Sequence, residues 1–223
     1  MIEQNLESIN AKLPSGVKLV AVSKFHPVDA IMEAYSAGQR VFGENRPQEL
    51  ASKAVQLPQD IEWHFIGHLQ TNKLKMVLPY ASLVQSVDSQ HLLEAVDDWG
   101  KNNGKVIDVL LELHLGAEET KQGFHEEEIL DLLFTVVNSD HRKYANVRFR
   151  GLMGMATNTD DEETIRADFA RISDYFAYLT DLFPELEGFD QLSIGMSGDW
   201  PIAVEYGATM VRIGTAIFGE RQY

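Results

Sequence analysis

The sequence predicts a single (β/α)8 TIM-type barrel over residues 1–223, and three observations carry that reading. Short apolar, β-branched runs alternate with segments of helical spacing, the pattern of parallel βαβ units. The runs number eight, and eight units in 223 residues match a compact barrel, which typically takes roughly 250. Runs such as Val109-Leu110-Leu111-Glu112-Leu113 are nearly continuous in apolar residues, as a strand covered on both faces requires. An open doubly wound sheet shares these features and is the alternative that periodicity leaves standing.

A helix over 2–12 comes first, and Pro14-Ser15-Gly16 stops it. The first strand follows over 17–23, then a helix over 28–37 introduced by Pro27. The second strand, 40–43, leads to a helix over 47–55 with Pro47 in its first turn. Strands over 62–67 and 83–87 alternate with helices over 71–78 and 91–99. The fifth strand, 108–115, precedes a helix over 126–137 whose Glu126-Glu127-Glu128 suits the positive end of the macrodipole. The sixth strand, 149–156, precedes a long helix over 162–183. The seventh, 192–195, precedes a short helix over 201–206, and 210–216 closes the set.

In such a barrel the C-terminal strand ends share one mouth, where function sits. Lys24, Asn45, His68, Asp88, His114, Ser197 and Thr215 become neighbours there. A lysine at an apolar mouth has its pKa lowered and can form an imine with an aldehyde; read alone, Lys24 is more often a solvated strand-end residue, since reactive buried lysines are rare. Ser193 to Pro201 runs from a strand into a helix start, where the Ser197 hydroxyl and amides opened by Gly198 make an anion site or an ordinary cap. Val211 to Gly219 adds Gly214 for close backbone approach and Thr215 as a donor. Barrels often bind phosphate after strands seven and eight, so these two segments meet in one place. An imine-forming lysine and a phosphate cradle together suggest pyridoxal phosphate (PLP).

Arg212 alternates with Val211 and Ile213 and aims inward, toward a ligand or an interior carboxylate such as Glu112. Asn45 lies in Gly43 to Glu49, free to serve a ligand or cap the next helix. His64 and His68 have metal-ligand spacing only on a helix, which is not expected there, so no metal site is expected. His91, His114 and His125 show no triad spacing.

Composition narrows the functional classes. A net charge of −15 disfavours nucleic acid, because a polyanion would be repelled and counterion release lost. No apolar run reaches the roughly 18 to 20 residues that span a bilayer, so no membrane partner is expected. The start Met1-Ile2-Glu3-Gln4-Asn5 lacks a secretory signal, and with no cysteine there is neither disulfide nor thiolate chemistry. A cytoplasmic location is the expectation.

Six segments in order resemble the PLP homeostasis (YggS/PROSC) family across nearly the whole chain: Val20 to Lys24, Phe42 to Asn45, Trp63 to Lys73, Arg150 to Met153, Leu192 to Ser197 and Val211 to Gly219. The resemblance implies a barrel of the alanine racemase N-terminal-domain type with PLP held as an internal aldimine on Lys24. It further implies that Ser197, Gly214 and Thr215 hold the phosphate, Arg212 faces the pyridine nitrogen, and Asn45 and Met196 lie beside the cofactor. The chain departs from the family at Arg46-Pro47, where an aromatic is usual, and at Gly198, where a polar residue is usual.

Racemases of this barrel type add a β-domain whose partner subunit supplies a tyrosine acid/base, whereas this chain ends at Tyr223. The expectation is therefore a monomeric PLP carrier acting in vitamin B6 homeostasis and amino-acid/keto-acid balance, with PLP-dependent apo-enzymes as partners and no robust catalysis. A minimal PLP-dependent amino-acid racemase is the alternative, and a Schiff-base aldolase on a phosphosugar, needing Lys24 but no coenzyme, is the more distant rival.

Overall fold

The computed structural model describes residues 1–116, 122–139 and 142–220; Tyr223 lies outside the described residues. Strands β1 (Lys18–Val22), β2 (Val41–Glu44), β3 (Glu62–Phe65), β4 (Ala81–Val87), β5 (Ile107–Glu112), β6 (Val147–Met153), β7 (Gln191–Ser193) and β8 (Met210–Ile213) form a closed barrel in chain order. Every neighbouring pair is parallel, and β8 returns to β1 in a register running from Lys18↔Met210 to Ala21↔Ile213. That closure excludes the open doubly wound sheet.

Helices α1 (Ile2–Asn10), α2 (Val28–Ser36), α3 (Pro47–Ala54), α4 (Leu74–Val77), α5 (Gln90–Asn103), α6 (Glu126–Asn138), α7 (Glu162–Leu182), α8 (Trp200–Glu205) and α9 (Thr215–Phe218) fill the connections. Each long helix buries a stripe set by helical periodicity: Ile2, Leu6 and Ile9 in α1, and Phe169, Ile172, Tyr175 and Leu179 in α7. Sequence-local caps fix the ends. Ser89 accepts from the Leu92 amide at 3.3 Å, and Gly104 closes α5 in the left-handed region, so this helix extends past the expected 91–99 at both ends.

Alternation along the strands sorts the core into two sets. Leu19 and Ala21 pack outward under the helices, while Val20 joins Val41, Leu83, Leu110, Met153 and Met210 in a separate apolar cluster. Among the described residues no helix is long and apolar enough to cross a membrane.

Strands β5, β6 and β7 end at Glu112, Met153 and Ser193, short of the expected 115, 156 and 195, and two further elements change type. The stretch 71–78 is a 3-10 turn, Thr71–Lys73, followed by the single turn of α4. The last strand stops at Ile213, because Gly214 adopts right-handed helical angles and its carbonyl accepts the amides of Ile217 and Phe218. Thr215 and Ala216 therefore open a helix at the barrel rim instead of extending the strand.

Candidate functional site

Lys24 sits two residues beyond β1 in a turn closed by the His26 amide donating to the Ser23 carbonyl at 3.1 Å. Phe25 holds a φ of +66°, a left-handed conformation uncommon for an aromatic residue. Its neighbours determine it. The Phe25 amide donates to Glu49 Oε2 at 2.9 Å, the Arg46 guanidinium lies 4.2 Å from the Phe25 ring centroid, and His26 stacks on Phe218 at 4.9 Å. Arg46 thus braces the turn that carries Lys24.

A buried ion cluster supports this turn from behind. Lys53 Nζ donates to Glu44 Oε1 at 2.7 Å, Glu49 Oε2 at 2.9 Å and the Ser23 carbonyl at 2.9 Å, satisfying all three of its hydrogens. Ser23 Oγ also donates to Glu44 Oε1, at 2.7 Å. Lys53 is 7% exposed and Glu44 0%. Burial pushes the Glu44 carboxyl above its ordinary range, although Lys53 and Ser23 pull it back. Burial also acts upward on Glu49, but the Phe25 amide, Lys53 and Arg46 outweigh it and hold that carboxyl low.

Asn45 occupies the adjacent strand end, half-buried, and its Oδ1 is a buried acceptor without a hydrogen-bond partner. Gly67 makes its position possible: a Cβ there would lie 2.3 Å from the Asn45 carbonyl oxygen. A buried unsatisfied acceptor beside a strand end that offers an amine is a feature a ligand would complete.

On the other side of β1, where β8 pairs with it, Ser197 Oγ accepts from the Gly214 amide at 3.3 Å, tying the loop after β7 to the start of α9. Gly195, at φ +91°, bends the chain into this loop, and the Met196 amide donates to Asp199 Oδ1 at 2.5 Å. A side chain at Gly198 would meet open space, and Thr215 and Ala216 are exposed. The first amides of α9 have no intrahelical acceptor, so hydroxyls and N–H groups from two loops converge on one rim.

Below this rim lies a polar chain inside the barrel. Arg212 Nη1 donates to the Ser193 carbonyl at 2.7 Å and to Ser193 Oγ at 2.6 Å, and Nη2 donates to the Gly154 carbonyl at 2.9 Å. Ser193 Oγ donates to Gln85 Oε1 at 2.6 Å, and Gln85 Nε2 is 2.8 Å from His64 Nδ1. Arg212 therefore bonds to Ser193 and Gly154, and no salt bridge to Glu112 is found among the described residues. Burial lowers Arg212 to about 10, with Glu112 and Asp199 opposing, and it stays cationic at neutral pH. Burial lifts Glu112 to about 7, Asp88 adding to the rise and Arg212 countering it.

Rim residues His68 and Asp88 pair through Nδ1 and Oδ2 at 2.9 Å, the histidine side chain 47% exposed and the carboxylate 8%. His114 lies against the His125 ring, centroids 5.4 Å apart. Among the described residues no group of three His, Asp or Glu could hold a metal ion. The structure thus joins Ser197 to Gly214 directly, with Thr215 next in chain and Arg212 beneath, and sets Lys24 and Asn45 on adjacent strand ends; Met196 is exposed in the loop after β7. Sequence reasoning missed Lys53 and Glu49, which look like an ordinary i,i+4 helix pair, and Gln85 and Ser193. Gln85 left one signal, a polar residue in the middle of the apolar run Leu83-Val84-Gln85-Ser86-Val87.

Comparison with known proteins follows the same lines. A family model described as the alanine racemase N-terminal domain matches residues 1–222. The pyridoxal phosphate homeostasis protein of Vibrio alginolyticus is 39% identical over 237 residues, covering 100% of this chain and 98% of that protein. PipY of Synechococcus elongatus, solved with and without PLP, is 38% identical over 98% of this chain and 100% of its own, with TM-scores of 0.87 and 0.91. Alanine racemase from E. faecalis shares the fold at a TM-score of 0.75 and 20% identity, the match covering 57% of that enzyme.

Proposed function

This chain belongs to the alanine racemase N-terminal-domain family, among its pyridoxal phosphate homeostasis proteins, and from that membership we propose that it binds PLP, as PipY does, and acts in the homeostasis of that cofactor. The observation that carries the reading is the Ser197–Gly214 hydrogen bond, which joins two donor-bearing loops into one anion cradle at the same rim as Lys24. When bound, PLP supplies an aldehyde carbon that combines reversibly with amines, together with a phosphate and a pyridine nitrogen.

The residues present fit those three features. Lys24 is the amine, on a turn braced by Glu49, Arg46 and the Lys53 cluster. Ser197, Gly214 and Thr215 receive the phosphate. Asn45 brings its unsatisfied Oδ1 and Met196 an exposed side chain to the cofactor's edges. Arg212 keeps two of its five N–H donors after three bonds, and one of these serves the single lone pair of the ring nitrogen. At about 10, its guanidinium donates a hydrogen bond at neutral pH without surrendering its proton, which works against strong electron-sink chemistry.

In this reading residues 1–223 act as one domain and as a cytoplasmic monomer. PLP passes to and from apo-enzymes, and through them influences amino-acid and keto-acid balance. A second reading, turnover of an amino acid, is favoured by one observation: the exposed His68, oriented by Asp88, places a proton acceptor at the rim. α-Hydrogen exchange from alanine, serine and threonine separates the two. The carrier reading expects none above that of PLP with a lysine peptide; fast, saturable exchange lost in Lys24→Ala would establish turnover. The cofactor assignment itself is tested by borohydride reduction, which should leave one pyridoxyl group on Lys24. Peptide mapping that put the label on Lys73 or Lys105, with Lys24 unmodified, would refute it.

A further inference from the structure

The interior polar chain has a direction, fixed by the Gln85 amide, whose Nε2 also donates to Met210 Sδ at 3.0 Å. Burial, with Lys18 adding, lowers His64 to about 3, so the ring is neutral across the working pH range. An amide nitrogen can only donate, so Gln85 Nε2 gives its hydrogen to His64 Nδ1 at 2.8 Å, and the imidazole carries its proton on Nε2. That contact leaves Gln85 Oε1 facing Ser193, whose hydroxyl hydrogen it accepts at 2.6 Å. With its hydrogen committed, Ser193 Oγ offers only lone pairs to Arg212 Nη1, at 2.6 Å. Reversing the Gln85 amide would set its oxygen against the Met210 thioether, two acceptors with no hydrogen between them. Gln85 and Ser193 are each 0% exposed, out of reach of bulk solvent.

We propose that Gln85 is a positioning residue for the cofactor site. Acting through Ser193, it sets the rotation of the Arg212 guanidinium and hence the direction of the two N–H groups left, one of which serves a pyridine nitrogen. This rests on the PLP reading above. A glutamine that only fills space would make the same packing contacts but would be replaceable by a residue of similar volume with no effect on the ligand.

The test uses the full chain with PLP and the variants Gln85→Met, Ser193→Ala and their combination, reading the visible absorption band, its pH dependence and the dissociation constant. Each single variant should move the band and weaken PLP by roughly three- to tenfold, the loss of one buried hydrogen bond. The double variant should be no worse than the weaker single, because both changes break the same chain. A folded, loaded Gln85→Met with an unchanged band and affinity overturns the proposal, and so do additive losses in the double. Ser193→Ala removes a single oxygen atom and carries the same test if Gln85→Met fails to fold. Wild-type protein that gave no band with PLP would instead overturn the cofactor reading.

Discussion

Replacing Lys53 by methionine keeps the length of a buried side chain while removing the charge that Glu44, Glu49 and the Ser23 carbonyl share. In the variant Glu44, fully buried, keeps only the Ser23 hydroxyl as donor. Breaking one side of a buried ion pair costs about 3 to 5 kcal/mol, far above the 0 to 1 kcal/mol of an exposed pair. The sign of the pH dependence follows from Glu44. Its carboxyl already titrates above the ordinary 4.5 in the folded protein, and losing Lys53 drives it higher. A folded-state pKa above the unfolded one contributes stability that is full below the unfolded value and is lost as pH rises through the folded value. Lys53→Met should therefore lose stability more steeply than wild type above pH ~4.5, approaching about 1.4 kcal/mol per pH unit where Glu44 is protonated only when folded. Urea unfolding of the unloaded protein at pH 5 and pH 8 measures both quantities. Lys53→Met/Glu44→Gln, which removes both charges, should recover most of the loss at pH 8. A cost below about 1 kcal/mol at pH 8, or a pH profile parallel to wild type, would refute a buried, energetically coupled cluster.

The phosphate cradle makes a second prediction: Ser197→Ala/Thr215→Ala should weaken PLP more than unphosphorylated pyridoxal, each lost charge-assisted bond costing about 1.5 to 3 kcal/mol. Equal losses for the two ligands in equilibrium titrations would remove these residues from the phosphate. Arg212→Glu should move the ring nitrogen toward protonation and shift the visible spectrum while Lys24 remains labelled by borohydride; an unshifted spectrum in a folded, loaded variant counts against the contact. Glu112, lifted by burial to about 7 from an ordinary 4.5, contributes up to about 3 kcal/mol of stability below pH ~4.5, lost as pH rises through about 7. Glu112→Gln should flatten the stability profile between pH 5 and 8, and a profile as steep as wild type would show that another group titrates there.

The barrel was legible because its strands are long in apolar residues and its helices carry clear stripes, two periods that do not imitate each other. Boundaries failed where one residue can serve either element. Gly214 ends β8 by turning helical, although Thr215 and Ala216 would also suit a strand. Candidate site residues at strand ends could be named from chemistry: an amine, a hydroxyl and glycine turns in places a barrel brings together. Partners beneath them were not. Lys53 and Glu49 read as a surface pair until β2 places Glu44 against them, and the bond between Gln85 and Ser193 links residues 108 positions apart. Local pattern carries no information about such contacts, which exist only once the barrel has closed.

The two buried networks hold the ends of the site rigidly, while the groups assigned to the phosphate are of another kind. Ser197 and Thr215 offer hydroxyls and the Gly214 amide holds Ser197 Oγ in place, all uncharged groups on a partly exposed rim. A dianionic phosphate bound by neutral donors gains less than one clamped by buried arginines, and it also meets the field of a chain whose net charge is −15. The charged pairing is spent elsewhere, on bracing the Lys24 turn. With PLP seated as proposed, such an arrangement would fix where the aldehyde and the ring nitrogen lie without making the phosphate costly to release. That combination suits a protein that must give its cofactor up better than one that must retain it through many turnovers.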